Sequence, residues 1–128
     1  MEITANAVQT VAVNAPVVFT ETAVNGNCSI MHREGSGLVS LRGLTNQCRA
    51  RFRVTFGANI ALPTGADVAP VSLAIAINGE PVGPSTMIST PAAVEEFNNV
   101  CGALFIDVAA GCCAQISVEN TGTGPVNV

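Results

Sequence analysis

Residues 48–62 read CRARFRVTFGANIAL. From Cys48 to Phe56 every second residue is apolar (Cys48, Ala50, Phe52, Val54, Phe56), and Arg49, Arg51, Arg53 and Thr55 stand between them. Successive side chains on a strand point to opposite faces, so this alternation predicts a β-strand with one buried face. Burying two phenylalanines and a valine favours folding by roughly 5–8 kcal/mol before conformational entropy is charged. The same strand carries three of the five cationic residues of the chain, all on its other face.

Working outward, the downstream half repeats the pattern. After the loop 63–70, VSLAIAI (71–77) places Val71, Leu73, Ile75 and Ile77 on one face. Its other face carries only Ser72, Ala74 and Ala76, which predicts close packing on both sides. Asn78-Gly79 is a tight-turn signal. STMIST (85–90) reads as an edge segment, and 91–100, where Pro91 would also allow one or two helical turns, reads rather as an irregular crossing or strand start. GALFIDV (102–108) and CCAQISVEN (112–120) are strands about an Ala-Ala-Gly turn, and Val126-Asn127-Val128 is a short closing segment. Upstream, 3–13 and 17–24 are strand-like runs broken at Pro16. Asn25-Gly26-Asn27 is a turn. Residues 28–33 and 38–44 form a hairpin about Glu34-Gly35-Ser36-Gly37, and Thr45-Asn46-Gln47 leads into the central strand. About eight short strands with no helix predict an all-β, antiparallel jelly-roll sandwich occupying residues 1–128 as a single domain.

Composition narrows the class. Charged residues make up 11% of the 128 residues, against a usual figure of about 25%, and the mean hydropathy is +0.46. No apolar run approaches the ~20 residues of a membrane-spanning helix, so membrane insertion is not expected. A chain this poor in charge is expected to cover part of its surface with further copies of itself. All five cations are arginines, and all lie within residues 1–53 with three acids. Residues 54–128 hold six acids and no cation. Net charge is −4, which disfavours nucleic acid as the main partner. The beginning of the sequence shows no signal-peptide pattern.

Chemistry-bearing constellations are sparse. The five cysteines form no C-x-x-C pair, and His32, the one histidine, is not beside a cysteine pair, so neither a zinc site nor another cofactor is expected. Cys48 and Cys112 are in phase with apolar faces and are expected to be buried. Cys28, beside a turn, and Cys113, out of phase, are the candidates for exposure or disulfide cross-links. His32 reads as a hairpin histidine. Glu95 and Glu96 are adjacent, so in a strand they would point apart, and a charged loop is the better reading. An enzymatic role is not expected.

The order Phe52-x-Val54-x-Phe56, Val71-Ser-Leu-Ala-Ile-Ala-Ile-Asn78-Gly79 and Ile106-Asp107-Val108-x3-Cys112, followed by Ile116-Ser-Val-Glu-Asn120, resembles the tumour necrosis factor-like jelly roll. That superfamily also includes complement globular heads and the tip domains of bacterial exosporium collagen-like proteins. Residues 33–65 are similar to small proteins of gut bacteria and their phages. The resemblance implies a compact homotrimer without enzymatic activity. It further implies a structural role on the virion surface, as capsid decoration, head fibre or tail-tip module, with capsid or other virion proteins as partners. The alternative it implies is a bacterial cell- or spore-surface head that binds glycan or protein. Two family features are missing from these 128 residues: they hold no Tyr or Trp for an aromatic ladder at a trimer axis, and no Gly-X-Y stalk. The closing strand is short, leaving open whether it is whole or completed by a borrowed strand. Arg49, Arg51 and Arg53 repel one another along one face, and the acid-rich second half offers Glu95, Glu96, Asp107 and Glu119 as partners. The row is therefore expected at or beside an intersubunit contact.

Overall fold

The central strand runs further than its alternation. In the computed structural model, which describes residues 1–26, 28–43 and 48–128, it spans Arg49–Ile60 and pairs antiparallel along its whole length with Asn98–Ala109. The turn at Asn27 and the lead-in 44–47 lie outside the described residues. In chain order the strands are β1 (Glu2–Thr4), β2 (Thr10–Val11), β3 (Glu21–Val24), β4 (Ile30–His32), β5 (Val39–Arg42), β6 (Arg49–Ile60) and β7 (Val71–Ile77). They continue with β8 (Glu80–Pro81), β9 (Met87–Ser89), β10 (Asn98–Ala109), β11 (Cys113–Asn120) and β12 (Val126–Asn127). A single 3₁₀ turn, Gly83–Ser85, is the only helical element among the described residues. The expected antiparallel sandwich is thus present. Several of the expected runs divide into short pieces, as 17–24 does, where only Glu21–Val24 forms a ladder.

The chain alternates between two layers from β5 onward, as a jelly roll does. One layer is the sheet β4–β5–β11–β7, with β8 and β9 both on the far edge of β7. The other holds the β6–β10 ribbon. Asn127 of β12 exchanges two backbone bonds of 2.9 Å with Ala61, and β12 pairs with β2 beyond it. The core lies between the layers: Leu73, Ile75, Ile116, Val118, Phe56, Ile60, Ile106 and Val108 are all buried. Phe19 meets the Phe56 ring edge-on at 6.3 Å. Phe56 stands opposite Gly102, and the space a Cβ would take at Gly102 is filled by the Met87 side chain, 3.1 Å away. Ala74 and Ala76 are fully buried as well, so β7 is packed on both faces as its small residues implied.

Local chemistry closes the ends. Asn78 (φ +52°) and Gly79 (φ +84°) both occupy the left-handed region that a two-residue hairpin turn between β7 and β8 requires. Between β8 and β9 no strand covers β7, and there the buried Ser85 hydroxyl accepts a bond from the Ile75 N–H at 3.0 Å and donates to the Val82 carbonyl at 2.7 Å. Buried Asn120 donates from its amide to Val11 and Gly124 carbonyls and accepts from the Gly122 N–H, tying β11 to β2 and to the last turn. At Gly43 a Cβ would sit 2.3 Å from the Ala109 carbonyl oxygen, so only glycine lets β5 pass the β10–β11 turn.

Gly43→Ala is therefore expected to destabilise the fold by about 1–3 kcal/mol through overpacking. Leu73→Ala is expected to lose about 2–5 kcal/mol through a core cavity. Val68→Ala, at a 55% exposed loop position, is expected to stay within ~0.5 kcal/mol of the parent. Urea unfolding of the three variants checks the order.

Candidate functional site

The outer face of the β6–β10 ribbon carries the residues that the alternation left over. Register places Arg49 opposite Ala109, Arg51 opposite Asp107, Arg53 opposite Phe105, Thr55 opposite Ala103, Gly57 opposite Cys101 and Asn59 opposite Asn99. One half of the face is charged and the other small or polar, with an Asn99-to-Asn59 amide bond of 3.2 Å at its end. Alternate residues on a strand are about 7 Å apart, so the three guanidiniums form a row.

Asp107 is the hub of that row. Arg51 grips its carboxylate with two bonds, Nε to Oδ1 at 2.8 Å and a terminal nitrogen to Oδ2 at 3.2 Å, and Arg49 stands 3.7 Å from Oδ2. The bond from Arg51 holds the Asp107 carboxyl below the usual carboxylate range, aided by the charges of Arg51 and Arg49, and the same bond raises the Arg51 guanidinium. Three guanidiniums thus face one carboxylate, and Arg53 has no ion pair among the described residues. Its cross-strand neighbour is Phe105, a large apolar ring at 65% exposure. Sequence reasoning passed over Phe105, although its phase opposite to Leu104, Ile106 and Val108 was the available signal.

Of the four acids proposed as partners for the row, only Asp107 reaches it, and it does so from the same chain. Antiparallel pairing of β6 with β10 sets the two groups opposite each other. Glu95 and Glu96 lie in the crossing before β10, beyond the far end of the ribbon, roughly 35–40 Å along the strand direction from Arg49. The Glu95 carboxylate accepts the Thr64 hydroxyl bond, and its N–H donates to the Leu62 carbonyl. Glu119 sits half-buried on β11 in the other sheet, accepting from the Ser117 hydroxyl at 3.3 Å.

All five cysteines are free and exposed. Cys28 and Cys113, the candidates for exposure or cross-links, are exposed, and the expected burial of Cys48 and Cys112 is overturned. Each precedes the first residue of its strand, β6 or β11, so the phase that half-buries Ala50 and buries Ala114 does not govern it. Cys28, Cys48, Cys112 and Cys113 gather at one end of the sandwich around Gly43. Gly43 N–H donates to the Cys112 carbonyl, Ala110 N–H donates to the Cys48 carbonyl, and Cys113 pairs with Arg42. Among the described residues no group of three or more His, Cys, Asp or Glu side chains has metal-binding geometry. His32 is engaged at both ring nitrogens: Nε2–H donates to the Ser36 carbonyl at 3.0 Å, which leaves Nδ1 to accept from the Thr22 hydroxyl at 3.1 Å.

No protein-family model matches the chain, and no curated protein matches it.

Two outcomes are expected from this arrangement. A carboxyl whose pKa is lowered by folding contributes stability above its unfolded value, near 3.9, and loses that contribution as pH falls through the lowered folded value. Asp107→Asn should therefore lower the thermal midpoint by no more than about a few degrees at pH 7, because the pair is exposed, and the two midpoints should converge as pH falls through the lowered folded value. In addition, a water-soluble maleimide should modify all five thiols of the native chain, read as five adducts by intact mass.

Proposed function

We propose that the chain is a non-enzymatic structural and interaction protein that assembles as a homotrimer on a virion surface, as capsid decoration, head fibre or tail-tip module. The observation that carries this reading is the outer face of the ribbon. Arginine and aromatic residues, phenylalanine included, are enriched in protein–protein interfaces. Here Arg53 and Phe105 are fixed side by side on a regular ladder, beside an Arg51–Asp107 pair that can also accept partners. The low charge of the whole chain supports covered surface elsewhere. The sole histidine is committed to Thr22 and Ser36, which supports a non-catalytic role.

Light scattering should return three times the 13.0 kDa chain mass. Arg51→Glu should lower that mass, with the larger drop at low salt, where the repulsion between the new carboxylate and Asp107 opposite it is least screened. A monomer at every concentration and salt overturns the assembly. Mass spectrometry of purified phage particles from the source culture places the function: presence of the chain in the particles supports the virion role, and presence only in the cell-surface fraction favours a bacterial surface head instead.

A further inference from the structure

The sandwich contains a slot one strand wide. β12 lies between β6 and β2: Asn127 exchanges two bonds with Ala61 on one side, and Val128 exchanges two with Gln9 on the other, at 2.9 and 3.2 Å. The two walls are thus two strand spacings apart, about 9.6 Å. Beyond the β12 ladder the space between β6 and the arm 3–8 is open. The first stretch is a groove of ≈ 450 Å³ bounded by Val128, by the arm 3–8 and by Phe56–Asn59. It leads into a space of ≈ 480 Å³ between Met1–Thr4 and Arg53–Gly57, floored by Phe19, Val39, Ile116 and Val118. It ends in a pocket of ≈ 190 Å³ against Ile30, Leu41 and Phe52.

Two independent features of β6 match this slot. The first is its backbone. Bonds to β10 occupy one edge, and on the other edge Ala61 is paired with Asn127. Hydrogen-bonding direction alternates along a strand, so Asn59, Gly57, Thr55 and Arg53 present their N–H and C=O groups into the slot, unpaired among the described residues. The second is burial. Ile60, next to β12, is 1% exposed, whereas Phe52 and Val54, along the empty stretch, are only half-buried. An unpaired strand edge beside half-covered core side chains is the surface on which β-strand addition occurs.

We propose that this slot binds an extended segment of about eight residues from a separate partner protein, which adds to β6 as an antiparallel strand running from Val128 toward Phe52. Cross-strand neighbours share a face, so the segment carries apolar residues opposite Ala58, Phe56, Val54 and Phe52 and polar ones opposite Asn59, Gly57 and Thr55. An acidic residue opposite Arg53 meets the cation of the row that has no ion pair. A second copy of the chain is a poor donor. Its own segments with suitable alternation, 50–56, 71–77, 104–108 and 114–118, are core strands held in ladders, and lending one would dismantle the lender. This inference does not rest on the virion reading, since strand addition is read on the chain whether it is monomeric or trimeric.

The test uses a capped synthetic octapeptide that alternates threonine and valine, starting with threonine opposite Asn59, with glutamate in place of the threonine opposite Arg53. Amide hydrogen exchange of the whole chain is followed by NMR. With saturating peptide, exchange at Arg53, Thr55, Gly57 and Asn59 is expected to slow at least about tenfold. The amides of Val54 and Phe56, already bonded to β10, should not change. The same peptide N-methylated on the amides that face β6 keeps every side chain and should give no protection. Three results overturn the proposal: no protection by the octapeptide, equal protection by the methylated peptide, or protection already present in the chain alone. In the last case, sedimentation tells whether a second copy or the chain's own N-terminal arm has closed the slot.

Discussion

Twelve consecutive cross-strand pairs between β6 and β10 form the longest ladder in the molecule, and both layers are arranged around it. The physical constraint is the pleat, which sends alternate side chains of each strand to opposite faces. It commits Ala50, Phe52, Val54, Phe56, Ala58 and Ile60 to the interior together with Val108, Ile106, Leu104 and Val100. The remaining residues must then face outward, whatever their chemistry. The arginine row, Asp107, Phe105 and Cys101 share the outer surface because they share a phase. The opposite sheet is fastened to this ribbon by the chain's repeated crossings and by the interlocked side chains of β7 and β11.

Much of this was legible in residues 48–77. Alternation in CRARFRVTF gave the inner and outer faces of β6. The small residues of VSLAIAI announced a strand buried on both sides, and Asn78-Gly79 marked its hairpin. The limits of legibility are physical too. Alternation says nothing about where a ladder begins, so Cys48 and Cys112 were assigned to faces although they lie one residue outside their strands. Arg51 and Asp107 are 56 residues apart, and their meeting depends on a register that only the assembled ribbon fixes. Two buried polar side chains, Ser85 and Asn120, carried no sequence signal beyond being polar. Each is retained because it satisfies backbone groups left bare where a strand stops short.

The two layers differ in how they treat such bare backbone. On β7, the gap between β8 and β9 is bridged by the Ser85 hydroxyl, so a buried polar edge is satisfied from within the chain. On β6, the stretch from Arg53 to Asn59 has no equivalent among the described residues, and Phe52 and Val54 are only half-buried. Desolvating an unpaired peptide group is unfavourable, and half-exposed aromatic surface is unfavourable as well. The coincidence of both on one strand makes this stretch the part of the sandwich with the most to gain from added polypeptide.

The pairing of Phe56 with Gly102 has a consequence for alignment. If β10 slid by two residues along β6, Asp107 would still face an arginine, Arg49 or Arg53, so charge alone cannot distinguish the native alignment from its neighbours. Sterics can. A two-residue slide would bring Val100 or Leu104 opposite Phe56 and press a side chain into the space that Met87 fills beside Gly102. The ribbon therefore works like a key cut at one position: electrostatics accept several settings, and one missing Cβ selects among them.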